Sequence, residues 1–294
     1  MPLDSFLTTL IDPQTHEPLS VAADGTSLSS TNGTTYDILD GGIVNMLYPK
    51  QLLAEDAREQ HLYDQAFERY DYGVSWVFET LDNSDESATR QFMIGLMGLR
   101  PGMKVLEVGA GTGKDSALIL EQIRPGGTAV LSDLSPNMLR LATQKLDAQD
   151  VDVHYLLANG SYLPFADNTF DALFHFGGIN TFSERRQAFL EMTRVVRPGG
   201  KVVIGDESVA PWLRQTETYA MLLKANPLFR AEVPLEDVPT NARAFKLHYI
   251  FGNAFYVMEY VVGETAPQVN VDLPIPKKEF VDTWRIRSAN NQQQ

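Results

Sequence analysis

Lys104-Val105-Leu106-Glu107-Val108-Gly109-Ala110-Gly111-Thr112-Gly113-Lys114-Asp115 is the stretch on which the reading of this chain turns. Val105, Leu106 and Val108 make a short apolar run, suited to a strand buried on both faces. Three glycines at alternate positions follow, and then a helical run from Ser116 to Ile123. Glycine reaches backbone torsions closed to other residues and lets a ligand approach the main chain. Strand, glycine turn and helix in this order form the nucleotide-binding corner of a doubly wound α/β sheet.

Spacing narrows the nucleotide. Dinucleotide sites usually carry G-x-G-x-x-G, with a pyrophosphate on the helix N-terminus. This stretch reads E-x-G-x-G-x-G, and the acid Glu107 precedes the first glycine. An acid there repels a pyrophosphate and attracts a cation. The stretch resembles motif I of the class I methyltransferases that use S-adenosyl-L-methionine (SAM), a cofactor with a sulfonium, an ammonium and no phosphate. By that resemblance Glu107, Gly109, Gly111 and Gly113 line its methionine half. A plain tight turn between strand and helix would show the same glycines, so the motifs further on must support the assignment.

Two of them do. Ala129 to Ser132 reads as the next strand and ends at Asp133. That acid stands 133 − 113 = 20 residues past the last glycine, the spacing at which an acid takes ribose hydroxyls. Helix capping is the alternative role for Asp133, although Ser135 before Pro136 can also cap. Leu134 and Met138 are apolar groups suited to an adenine face. After a third strand, Val151 to Leu157, comes Ala158-Asn159-Gly160-Ser161-Tyr162-Leu163-Pro164-Phe165 and then Asp167 to Asp171. This closely resembles the family phrase A-(D/N)-(G/A)-x-x-L-P-F-x-D-x-x-F-D. The resemblance implies that Asn159 accepts from the adenine amino group and that the backbone at Gly160 donates to the ring. Glu191 to Gly200 matches a further family phrase, E-x-x-R-V-L-R-P-G-G.

The implied fold is α/β: a seven-stranded Rossmann-like methyltransferase sheet with helices on both faces, plus a small N-terminal β module. Strands are expected at Ala172–His175 and Lys201–Gly205, and a helix over Ser183–Val196. Phe245–Phe251 and Phe255–Val262 flank Gly252-Asn253, a hairpin signal. Residues 1–48 form the N-terminal module, 49–100 a helical lid or linker, and 101–294 the SAM-binding domain. Within that domain a lid insertion spans about 208–244, with a helix over Trp212–Ala225. The tail beyond Glu264 reads as extended, with a disordered end.

The N-terminal segment opens Leu10-Ile11-Asp12-Pro13-Gln14-Thr15-His16-Glu17-Pro18-Leu19 and closes with Tyr36 to Ile43. It resembles the zinc-ribbon module found with some tRNA and rRNA methyltransferases. Asp12 and Thr15 stand where the first two cysteines would be, and a zinc site needs four N or S ligands. The resemblance therefore implies a ribbon-like β module without a metal, packed on the catalytic domain or forming a homodimer contact. From Gln51 to Tyr72 the spacing predicts a helix, rich in aromatics with Tyr63, Phe67, Tyr70, Tyr72, Trp76 and Phe78. It resembles the segment Y-D-x-x-A-x-x-Y-D that closes over the cofactor in related methyltransferases. The alternative is an ordinary core-packing helix.

The balance of 24 Lys and Arg against 38 Asp and Glu leaves a net charge of −14. Such a surface repels phosphate backbones, so nucleic acid is not the expected partner. The absence of cysteine excludes disulfides and thiolate catalysis. With no signal peptide or spanning run in view, a soluble cytoplasmic protein is the expectation.

Methyl transfer needs proximity, alignment and an unprotonated nucleophile, and no metal. His175, at the end of the fourth core strand, is the first candidate base, although a histidine there can equally be a packing group. Tyr63 and Tyr70 of the lid segment stand next, and His61, Glu207 and His248 complete the set; His154, mid-strand, reads as structural. The core resembles the ubiquinone/menaquinone C-methyltransferases and their small-molecule relatives. A small, partly apolar metabolite is therefore the expected acceptor. An rRNA or tRNA base methyltransferase and a catalytically idle SAM-binding regulator are the alternatives.

Overall fold

The computed structural model describes residues 6–80 and 85–267, with the side chains of 73–80 outside the description. Trp76 and Phe78 of the aromatic cluster, and the tail from residue 268, thus lie outside the described residues. Four short strands come first: β1 (Ser20–Val21), β2 (Ser27–Ser29), β3 (Thr35–Leu39) and β4 (Ile43–Asn45). Two helices follow, α1 (Ala54–Thr80) and α2 (Glu86–Leu96). The core then runs β5 (Lys104–Val108), α3 (Lys114–Ile123), β6 (Gly127–Asp133), α4 (Pro136–Lys145), β7 (Val151–Leu157), β8 (Phe170–Phe176), α5 (Arg185–Arg194) and β9 (Val196–Glu207). It closes with α6 (Glu217–Ala225), β10 (Ala242–Ile250) and β11 (Phe255–Val262).

The described strands make one eleven-stranded sheet, ordered β1-β2-β3-β4-β7-β6-β5-β8-β9-β11-β10. Seven of these, β5 to β11, are the expected core. The expectation of a seven-stranded sheet with a separate module is corrected: the module's four strands continue the main sheet. The join is a parallel pairing of β4 with β7, Val44 opposite Leu156 and Asn45 opposite Leu157. Without it β7 would present an edge of unpaired N–H and C=O groups. Phe6, Leu10, Tyr36, Val44 and Met46 are also buried in the same core cluster as Leu106, Leu156 and Phe165. Where the resemblance put a first metal ligand, Asp12 organises the opening turn. Its Oδ1 accepts from the N–H groups of Gln14 and Thr15, both at 2.8 Å, and its Oδ2 from the Tyr36 hydroxyl at 3.0 Å.

Strand alternation divides the core between two faces. Val105 on one face meets Met93 and Ile94 of α2 and Ile119, Leu120 and Ile123 of α3. Leu106 and Val108 on the other meet Phe189 and Met192 of α5. Helices therefore cover both sides, as a buried parallel sheet requires. Strand order reverses between β5 and β8, which places the ligand crevice at the carboxyl ends of β5, β6, β8 and β9. The antiparallel β11 closes that edge against β9, and β10 hairpins onto β11. In the insertion, α6 starts later than expected, capped by Thr216, with a short 3₁₀ turn over Pro211–Leu213 before it. Among the described residues no helix is long and apolar enough to cross a membrane.

Candidate active site

The loop after β5 is folded by its glycines. Gly109 and Gly111 have φ of 72° and 54°, in the left-handed region, where a Cβ is strained. A Cβ on Gly109 would also lie 3.3 Å from His175 Nδ1. The loop thus lies flush on the end of β8. Asp133, at the end of β6, ties it down. Its Oδ2 accepts from Gly111 N at 2.8 Å, and its Oδ1 from Ser135 N at 2.8 Å. Burial pushes the Asp133 carboxyl up against the lowering effect of these backbone bonds.

Two cavities flank this loop and share part of its wall. The smaller, about 70 Å³, is lined by Gly109, Gly111, Asp133, Leu134, Met138, Gly160 and His175. These sequence-derived cofactor positions are therefore brought together. The larger, about 570 Å³, opens between α1, the loop, the end of β8 and the insertion. Tyr63 and Tyr70 line both.

Glu107, Gly113 and Asn159 depart from the expectation, since none of them lines either cavity. Glu107 shares the strand face of Val105, which α3 covers. It is buried there, accepting from Ser116 Oγ at 2.5 Å. Burial and the nearby Asp115 push its carboxyl well above the usual carboxylate range. Covered by α3 and bonded to Ser116, Glu107 stands below the loop and outside the cavities. Gly113 packs on Leu146, whose Cδ1 would lie 3.0 Å from an added Cβ. The Asn159 amide is already engaged: its Oδ1 accepts from Ser161 N at 2.9 Å, and its Nδ2 donates to Asp56 Oδ2 at 3.1 Å.

His175 is buried, with Nδ1 2.7 Å from the Val108 carbonyl oxygen, to which it donates. Its Nε2 has no hydrogen-bond partner among the described residues. Burial holds the imidazole below its usual value, hence neutral. It lines the smaller cavity and not the larger, so it lies on the cofactor side of the site. Tyr63 and Tyr70 meet edge to face, centroids 5.7 Å apart. Burial pushes both phenols up, so they keep their protons and serve as donors. His61 is exposed on α1, and His248 stacks edge-on against Phe92. Burial lowers His154, stacked on Phe6, to about 4, so it is a neutral core group.

Helix α1 lies across the crevice, and its polar residues at positions 56, 60, 64 and 71 are the fastenings. Asp56 Oδ1 accepts from Ser183 N at 2.9 Å, and Gln60 Nε2 donates to the Leu134 carbonyl at 2.8 Å. Asp64 Oδ1 accepts from Ser135 Oγ at 2.8 Å and Asn137 N at 3.2 Å. Asp71 accepts from Thr112 Oγ1 and, at 2.5 Å, from Lys145 Nζ. The spacing of four, four and seven along one face was readable in the sequence, but the partners were not. Arg90 was also missed. Its Nη1 donates to Asp115 Oδ2 at 2.6 Å, and both side chains line the larger cavity beside Lys114. Glu207, from β9, lines the same cavity near Leu222, Leu228, Phe229 and Phe255.

These groups suit SAM. The Asp133 carboxylate fits a ribose diol, and Leu134, Met138 and Gly160 fit an adenine. Arg90, Lys114 and Asp115 offer both charges for an amino-acid end. The narrow Gly109–His175 contact is a cradle that a Cβ would fill.

Comparison with known proteins agrees. Residues 52–228, more than half of the chain, match the ubiE/COQ5 methyltransferase family. The ubiquinone/menaquinone biosynthesis C-methyltransferase of Pasteurella multocida is 36% identical over 117 residues, 39% of this chain and 44% of that protein. That of Saccharophagus degradans is 38% identical over 117 residues, 39% and 47% of the two chains. The chain thus spans less than half the length of these relatives. Phosphoethanolamine N-methyltransferase 2 of Haemonchus contortus, solved with SAM, superposes with a TM-score of 0.54 at 16% identity, over 74% of this chain and 62% of that one. That likeness shows the fold. With the family model matching more than half of it and the glycine loop and Asp133 lining one crevice, the chain belongs to the ubiE/COQ5 methyltransferase family of SAM-dependent enzymes.

Proposed function

We propose that the protein methylates a small, partly apolar metabolite held in the larger cavity, with SAM along the Gly109–Gly113 loop. The observation that carries this is the cavity itself. At about 570 Å³ it is of the size small-molecule sites have, and it meets the cofactor crevice along Gly109, Gly111 and Phe176–Gly178. Phe176, Leu222, Leu228, Phe229 and Phe255 give it apolar walls, while Glu207 and the two tyrosines supply a few polar groups. The relatives' names point to a quinone precursor, whose ring suits such walls, as one acceptor to try.

SAM supplies an electrophilic methyl group on a sulfonium. The chain's own residues do the remainder. Asp133 holds the ribose side, and the glycine loop lets the main chain approach the cofactor. Helix α1 excludes water, which would otherwise compete for the methyl group. Tyr63 and Tyr70 orient the acceptor as hydrogen-bond donors at the junction of the two cavities. Proximity and alignment of this kind account for a large part of methyl-transfer catalysis.

Labelled SAM with fractionated metabolite extracts, and with quinone precursors separately, tests the reading. Label in a small apolar product is expected. Label only in RNA would favour the base methyltransferase, against which the net charge of −14 argues. Stoichiometric SAM binding with no S-adenosylhomocysteine (SAH) formed would favour a regulator.

A further inference from the structure

Glu207 has an unusual position. It ends β9 on the strand face that also carries Val203 and Gly205, and so points into the larger cavity with Phe176 and Phe255. Its main chain is fixed twice. Its N–H donates to Asp206 Oδ1 at 2.9 Å, and its carbonyl accepts from Asn180 Nδ2 at 2.7 Å. Its carboxyl meets Asn226 Nδ2 of the insertion, 3.4 Å from Oε1, and shares a side-chain hydrogen bond with the neighbouring Asp206. Among the described residues no lysine or arginine forms an ion pair with it. The charged and titratable groups that face it are Asp206 on its own strand, Glu59, Tyr63 and Tyr70 on α1, and Tyr256 on β11. Arg69, Arg90 and Lys114 also line the cavity, Arg90 paired with Asp115 and Lys114 with Glu86.

We propose that Glu207, on the wall of the larger cavity with Tyr63 and Tyr70, is the proton acceptor of the methyl transfer. Burial and then Asp206 push the Glu207 carboxyl well above the usual carboxylate range. Burial therefore disfavours its ionised form. A nearby cation favours the ionised form of a carboxyl, and the cofactor would bring a positive charge into the crevice that the larger cavity adjoins.

The step balances. The acceptor's proton passes to a Glu207 oxygen as the acceptor's electron pair forms a bond to the methyl carbon. The methyl carbon–sulfur bond breaks with its pair going to sulfur. Sulfur is then a neutral thioether, so the crevice loses that positive charge and Glu207 retains the proton until the product leaves. Tyr63 and Tyr70, still protonated, do not compete for it. This inference rests on SAM as the cofactor and goes beyond it by naming the base.

Calorimetry of SAM and SAH binding near neutral pH, in buffers of different ionisation enthalpy, counts the protons released. With wild-type protein, SAM is expected to release up to one proton more than SAH. The excess should vanish in Glu207→Gln and persist in Glu207→Asp. SAH affinity should change less than about threefold in both, while turnover falls about 10²–10⁴-fold in the glutamine variant alone. Equal proton counts for the two ligands in wild type, or an excess that survives in Glu207→Gln, would overturn the proposal. Should Glu207→Gln fail to fold, the wild-type excess must still shrink as pH rises, because the carboxyl is then ionised beforehand; a constant excess overturns it. If neither SAM nor SAH binds wild type, the cofactor reading itself falls.

Discussion

Asp133 and Asp12 illustrate how one carboxylate with several donors organises a loop. Asp133 anchors Gly111 and Ser135 and faces the smaller cavity. Asp133→Asn can no longer accept at both oxygens, and a hydrogen bond to a charged group contributes about 1.5–3 kcal/mol. SAM and SAH affinities should therefore fall together, about 10–100-fold, in calorimetry. A loss confined to SAM would contradict a ribose role, because both ligands carry the ribose. Asp12 is fully buried. Burial raises its pKa, but Thr15 N–H, Gln14 N–H and the Tyr36 hydroxyl outweigh it and hold the group below its ordinary value. The unfolded chain, with its higher pKa, takes up the proton first as pH falls. Asp12 thus contributes fully above about pH 4, and the contribution is lost as pH drops through the lower folded value. Asp12→Asn should cost about 1–3 kcal/mol near neutrality, and thermal unfolding curves of variant and wild type should converge in acid.

At the scale of an element, the described side chains of α1 fasten it to the crevice through Asp56, Gln60, Asp64 and Asp71. Tyr63, Ala66 and Tyr70 face the site, whereas Leu62 and Tyr72 are exposed. We propose that a helix fastened in this way opens locally, which an exchange experiment tests. Asp64→Ala removes the acceptor for Ser135 Oγ and Asn137 N. Hydrogen exchange in α1 should then accelerate while that of α3 stays unchanged, and SAH should dissociate about tenfold faster, the effect of one such bond. Exchange that accelerates equally in α3 would mean α1 is part of the core. The insertion acts differently. Its α6 and the turn at Leu228–Phe229 line the larger cavity and not the smaller.

On the scale of the whole molecule, the N-terminal module and the catalytic sheet are one folding unit. β4 occupies the β7 edge, Leu10 bridges to Phe165, and a single core cluster runs from Phe6 to Val262. Full-length protein is therefore expected to unfold in one cooperative thermal transition. Removing residues 1–48 would bare that edge and the apolar residues beneath it, a template for strand pairing between molecules. The truncated protein should elute as aggregate in size-exclusion chromatography. A soluble truncated monomer with unchanged SAH affinity would show the module to be dispensable.

What was legible follows from locality. Val105 to Gly113, Asp133 and the Ala158–Phe165 phrase are short-range patterns of torsion, polarity and spacing, and they sufficed for the α/β class and the cofactor; Gly109, Gly111, Asp133, Leu134, Met138 and Gly160, read from the same patterns, line one cavity. Strand alternation was legible as a period but not as a phase. Only packing decided that Glu107 falls under α3, that His175 turns to the Val108 carbonyl, and that Phe176 and Glu207 face the acceptor cavity. The engagement of Asn159 by Asp56, 103 residues away in sequence, likewise needs the folded chain. So does the fusion of β4 to β7, since no residue in either strand names its partner. Sequence determines which groups are available and how they repeat; which of them meet is a matter of tertiary packing, because a one-residue change of phase sends a side chain to the opposite face of the sheet.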